Sequence, residues 1–102
     1  MIHVIANIEI HAGRRQAFLA EFRKLVPFVL AEDGCIEYGP AVDTPSGIGA
    51  QQPLRDDLVT VIEKWESVEH LRRHLAAPHM LDYRVAVKEM VIDTTLFVLE
   101  PA

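Results

Sequence analysis

The stretch Leu58-Val-Thr-Val-Ile-Glu-Lys-Trp-Glu-Ser-Val-Glu-His-Leu-Arg-Arg-His-Leu75 changes its character in the middle, and that change decides the fold. Its first half, Leu58–Trp65, is rich in β-branched residues and reads as a strand. Ser67 follows at once as a helix N-cap, because its hydroxyl can accept from the free N–H groups of a helix that starts at Val68. Glu69 in the first turn suits the positive end of the helix dipole. Val68, Leu71 and Leu75 supply the apolar stripe. After a break at Ala76-Ala77, Pro78 opens a second helical segment over 78–89, since the N–H it lacks has no partner at a first helical position anyway. Val91–Leu99 closes the chain as a strand.

The same switch of period occurs once in the N-terminal half. Along Ile2–Ile10 the residues alternate, with Ile2, Val4, Ala6, Ile8 and Ile10 on one face and His3, Ile5, Asn7 and Glu9 on the other. Gly13 then opens a segment where Phe18, Phe22, Leu25 and Val29 recur at spacings of three and four, the stripe of an amphipathic helix that Pro27 is expected to kink. Gly34 terminates it, and 35–42 reads as a strand carrying Ile36 and Tyr38, with Pro40 placing it at an edge or a bulge. Residues 43–57 hold Pro45, Gly47, Gly49 and Pro53 and form a long loop, the kind that often serves as a lid.

Strand, helix, strand, strand, helix, strand is the split βαβ order of ferredoxin-like α+β folds. It predicts one domain over residues 1–102, with both helical crossovers on one face of a four-stranded sheet. The other face carries apolar residues such as Ile5 and calls for cover by a second sheet, so a face-to-face homodimer is expected.

Size and charge narrow the function. A chain of 102 residues, half of them hydrophobic, has no room for a separate cofactor-binding domain. A domain this short buries only about two thirds of its unfolded surface, which also favours a partner subunit. Ten Lys plus Arg against fifteen Asp plus Glu give a net charge of −5 and argue against a nucleic-acid platform. Arg14-Arg15 and Arg72-Arg73 are isolated pairs on solvated helix faces. Cys35 is the only cysteine, so an intrachain disulfide and a cysteine-based zinc site are both excluded, and a reducing cytoplasm is the expected location. No signal peptide opens the chain, and no segment approaches the roughly 20 apolar residues of a membrane span.

Several side chains could carry chemistry. His70 and His74 stand at i, i+4 and His79 follows, so a metal site has to be weighed. At about 100° per residue, His70 points away from the apolar stripe while His74 flanks it. HExxH is absent and no acidic residue is obviously placed to complete an inward site, so no metal is expected. His74 is the leading candidate for proton transfer, because imidazole changes state near neutrality. His79, beside Pro78, reaches either a cavity or the surface. Trp65 can pack in the core or wall a cavity. Glu63 shares its strand face and would be a base if desolvated, or an ion-pair partner if not. Asn7 is an amide in an apolar strand and must find a hydrogen bond, to a substrate oxygen or to the protein. Tyr38 and Tyr83 are either phenol donors or packing, and Cys35 reads as a buried apolar residue.

Three blocks, Glu32-Asp-Gly-Cys-Ile-Glu-Tyr38, Val61-Ile-Glu-Lys-Trp-Glu-Ser67 and His74-Leu-Ala-Ala-Pro-His-Met80, resemble in order and spacing the antibiotic-biosynthesis-monooxygenase family. The stretches Val26-Pro-Phe-Val-Leu30, Gly39-Pro-Ala-Val-Asp43 and His70-Leu-Arg-Arg-His-Leu75 are most similar to its bacterial quinol monooxygenases. The resemblance implies a dimeric α+β barrel and a reaction of a quinol-like aromatic with dioxygen, without metal, haem or flavin. It implies catalytic roles for His74, Asn7 and Trp65, substrate contacts from Tyr38, Tyr83, His79 and Glu63, and an apolar wall from Phe22 and Ile5. Haem-degrading relatives share an Asn on the first strand, matched by Asn7, but they carry a Trp where His74 falls and a haem-ligating His where Arg84 falls. Polyketide-oxidising relatives often have an Asn at the position of Val61 and a Tyr near that of Leu71, so their mechanism does not transfer whole. Two other functions fit the scaffold: an isomerase of a small phosphorylated signal, which would need a basic pocket from Arg72, Arg73 or Arg84, and a non-catalytic binding protein for aromatic metabolites.

Overall fold

The computed structural model describes residues 1–102 as β1 (Ile2–Ile10), α1 (Arg15–Leu30), β2 (Cys35–Ala41), β3 (Leu58–Trp65), α2 (Val68–Leu75), α3 (Pro78–Val87) and β4 (Val91–Leu99). The strands form one antiparallel sheet in the order β2-β3-β1-β4, the ferredoxin-like α+β arrangement that the element order predicts. Pro40 falls on edge strand β2, where a missing N–H is harmless.

Alternation along β1 fixes the layers. Ile2, Val4, Ala6, Ile8 and Ile10 are buried beneath the helices, with Val59, Val61, Glu63 and Trp65 beside them on β3. Phe18, Leu19, Phe22, Leu25 and Val29 of α1 close over this face, joined by Leu71, Met80 and Val87. α1 lies against β2 and α3, and α2 against β3. β4 has no buried residue and extends the sheet beyond the helical layer.

The ends of the elements follow from single residues. Gly34, at φ +79, ends the excursion after α1 in the left-handed region that glycine alone enters freely, and a Cβ there would run into the His70 ring. α1 carries on through Pro27 to Leu30. Ser67 caps α2 by accepting from the His70 N–H at 3.3 Å. α3 stops at Val87, two residues short of expectation, where the Met90 N–H turns back to the Val87 carbonyl at 2.8 Å.

One expectation is corrected. α2 buries Leu71 and His74, while Val68 and Leu75 are left exposed, so the histidine belongs to the inward stripe instead of flanking it. The loop over 43–57 is pinned at its ends by a two-pronged Arg55–Asp43 ion pair at 2.8 and 2.9 Å. The Arg55 guanidinium and N–H hold the Asp43 carboxyl down to about 2. None of the loop's residues lines the main cavity.

Candidate active site

A cavity of about 390 Å³ opens between the inner face of the sheet and α3, and eleven of its sixteen lining residues are hydrophobic. Phe22 comes from α1, Tyr38 from β2, Glu63 from β3, His74 from α2, Tyr83 from α3 and Leu96 from β4. Tyr38 and Glu63 are direct cross-strand partners. Phe22 stacks on Tyr38 at 5.5 Å between ring centres and meets Tyr83 edge-on at 5.7 Å. Burial pushes both phenols far above their usual range, so each stays protonated as a donor.

His74 is 1% exposed and wedged between Trp65, at 4.6 Å between rings, and Tyr38, at 5.4 Å. Its Nδ1 lies 2.8 Å from Glu32 Oε2. An ionised carboxylate can only accept, so Nδ1 carries the proton and Nε2 keeps its lone pair. Nε2 has no protein partner, yet no fully buried side-chain nitrogen or oxygen is left unpartnered, so Nε2 is open to the cavity that His74 lines. Burial lowers the imidazole pKa against the opposing pull of Glu32, which leaves a neutral ring able to take a proton.

Glu63 is the second ionisable group inside. Burial, aided by the charge of Glu32, pushes its carboxyl up to about 7, although a 2.9 Å bond from the Trp65 indole N–H favours the ionised form. Trp65 itself does not line the cavity and stands fully buried, linking Glu63 and His74 through its bond and its ring contact. At the mouth, Arg84 donates to the Leu75 carbonyl at 2.8 Å and Lys88 lies one turn on.

Asn7 and Ile5 are on the other face of the sheet, because Ala6 and Ile8 of β1 are the residues that line the cavity. The Asn7 carboxamide oxygen accepts from the Thr60 hydroxyl at 3.0 Å across the strands, and Asn7 and Ile5 both stand outside the expected site. His79 is also outside the cavity, with its ring on Phe28 at 6.0 Å and its Nε2 bonded to Glu32 Oε2 at 2.8 Å. Arg72 and Arg73 pair with Glu69 and Asp33 and do not line the cavity. Burial first, and then the charges of Glu32 and Glu63, push the Cys35 thiol up to about 11.

Glu32 is the residue that sequence reasoning missed. It stands just beyond α1, 42 residues before His74, and its signals were its place in a turn ahead of Gly34 and at the head of the first family-like block. Its Oε2, His74 Nδ1 and His79 Nε2 lie within 4.8 Å of one another, a donor set that could hold a divalent cation. The expectation that no acidic residue completes an inward histidine cluster is therefore corrected.

Residues 1–86 match the family model described as antibiotic biosynthesis monooxygenase. The chain is 45% identical to the "Probable quinol monooxygenase YgiN" of Escherichia coli strain K12 over 99% of its own length and 98% of that relative's. The crystal structure of PA3566 from Pseudomonas aeruginosa superposes with a TM-score of 0.80 at 25% identity, covering 99% of this chain and 93% of that one. Rv0793 from Mycobacterium tuberculosis does so with a TM-score of 0.80 at 25% identity, covering 99% and 94%. The chain belongs to the antibiotic biosynthesis monooxygenase family, and it is an enzyme of the monooxygenase class on a ferredoxin-like α+β fold.

Proposed function

We propose that this protein oxygenates a quinol-like or polyphenolic aromatic with dioxygen, and that it needs no metal, haem or flavin to do so. The observation that carries the reading is His74, a buried neutral imidazole whose Nδ1 is held by Glu32 and whose Nε2 opens on an aromatic-walled cavity. Nε2 takes the phenolic proton of the substrate. The resulting phenolate passes one electron to dioxygen, giving superoxide and a phenoxyl radical. These combine at a ring carbon that bears hydrogen, forming a peroxide. Loss of that hydrogen as a proton, with cleavage of the O–O bond and return of the first proton from His74, releases water and leaves a carbonyl. The balance is phenol plus O₂ to quinone plus water. Tyr38 and Tyr83, kept protonated, orient the substrate oxygens, and the apolar wall keeps solvent from the anion. Glu63 gives a second point of proton exchange. The 45% identity to the E. coli protein named a probable quinol monooxygenase supports the choice of substrate class.

A homodimer belongs to this reading. On the outer face the cross-strand row Phe97, Ile5 and Ile62 is apolar, with Phe97 48% and Ile62 40% exposed, and β4 lies open beyond the helices. A second copy packed on that face removes this surface from water. The lone thiol of Cys35 agrees with a cytoplasmic location; no helix is long and apolar enough to cross a membrane. The isomerase reading loses two of its three cations, because Arg72 and Arg73 are paired with carboxylates away from the cavity.

The test is oxygen uptake by chelator-treated protein with a panel of naphthoquinols, with autoxidation subtracted. Saturable uptake is the expected outcome, and uptake no faster than buffer across the panel overturns the proposal. His74→Gln should lower kcat by about a hundredfold or more while shifting the melting temperature far less. A loss of activity matched by loss of the folded fraction would remove His74 from the chemistry.

A further inference from the structure

We propose that Glu32, His74 and His79 form a binding site for one divalent transition-metal cation, and that filling it switches the enzyme off. Two imidazole nitrogens converge on one carboxylate oxygen, each at 2.8 Å, and the three atoms lie within 4.8 Å of one another. Imidazole with carboxylate is the donor set that suits zinc and its first-row neighbours. With ligand bonds of about 2.0–2.2 Å, a tetrahedral arrangement with water as the fourth ligand needs each N···O separation to open by about half an ångström and the two nitrogens to stand about 3.4 Å apart.

The ligands are supplied by three separate places in the fold. Glu32 follows α1, with its N–H bonded to the Val29 carbonyl at 2.9 Å. His74 stands in the last turn of α2 with its ring packed on Trp65, and His79 is in the first turn of α3 with its ring on Phe28. A second, more open cleft lined by Phe28, His79, Asp82 and Tyr83 gives a cation a route in; Lys24 there is paired with Glu21, which leaves Asp82 to favour the approach. His79 is 26% exposed there, so the first ligand met is accessible from solvent.

The location decides the effect. Glu32 and His79 do not line the substrate cavity, so the cation lies behind the His74 ring and out of reach of a bound aromatic. A cation on Nδ1 takes the place of the proton there. A neutral imidazole must then carry its proton on Nε2, which becomes a donor and can no longer accept one. This inhibitory step rests on the proposed reaction, whereas the binding itself does not.

The test uses the whole protein after chelator treatment and dialysis. Zn²⁺ is titrated by calorimetry and Co²⁺ by visible absorbance. One cation per chain is expected, with affinity lowered at least tenfold in His79→Gln and in Glu32→Gln and kept in His70→Gln, which disrupts the looser surface set of His70, Asp33 and Glu66. If Glu32→Gln does not fold, His79→Gln decides alone. The absence of saturable binding, or binding that survives His79→Gln and is lost with His70→Gln, overturns the site. In oxygen uptake, one equivalent of Zn²⁺ should lower the rate at least tenfold, a chelator should restore it, and His79→Gln should shift the inhibition to higher Zn²⁺. Unchanged uptake with the site filled overturns the switch. No uptake from metal-free protein with any quinol overturns the oxygenase reading and leaves the binding result standing.

Discussion

At the residue scale, Glu63 has a consequence for stability that its chemistry alone would not suggest. Its carboxyl titrates about 7 in the folded chain against 4.5 for an unperturbed one, so folding favours the protonated form. The favourable contribution is complete below pH 4.5, shrinks as the pH rises through the interval, and is gone above about 7. The difference amounts to on the order of 3 kcal/mol. Glu63→Gln keeps an oxygen to accept the Trp65 N–H and has no charge to bury. Its melting temperature should therefore match the parent at pH 4.5 and exceed it at pH 8; parallel curves across that range would refute the burial argument. The role of Glu63 was half legible, because it shares parity with Trp65, but the depth of its burial was not. Asn7 shows the converse. The fully apolar face of β1 lies under the helices, so the alternation itself put Asn7 on the side away from the cavity; only the family resemblance had drawn the amide into the site. The role of Glu32 was beyond reach, since only tertiary packing brings its turn to His74 on α2 and His79 on α3.

At the scale of elements, the boundaries were legible because each is set by local chemistry: a serine cap at Ser67, a proline start at Pro78, and Gly34 at a positive φ. Gly34→Ala should cost about 2 kcal/mol or more, from the left-handed backbone and from the Cβ that would enter the space of the His70 ring. Urea unfolding measures it, and a loss below about 0.5 kcal/mol would mean that the turn can relax without strain. The orientation of α2 was less legible. A stripe chosen by hydropathy takes Val68 and Leu75, whereas the fold buries His74, whose polar atom is compensated by an acid from a distant turn.

For the whole molecule, the open sheet face was foreseeable from the order of the elements, since two crossovers of the same hand leave one side bare. What the sequence did not reveal is that β4 is exposed on both sides while Thr94 and Leu96 still line the cavity. Phe97→Asp, on the outer face, should turn the proposed dimer into a monomer in light scattering after gel filtration, because burying a carboxylate there without a partner is costly. A variant of unchanged mass would show that the second copy sits elsewhere.

The thiol at Cys35 bears on how long such an enzyme lasts. With its pKa pushed up to about 11, the thiol stays protonated at pH 7, and the thiolate is the form that peroxides attack. The proposed reaction hands an electron to dioxygen and passes through a peroxide. If the proposed reaction leaks peroxide, the thioether of Met80, which lines the cavity, is placed to meet it, and its sulfoxide can be reduced back.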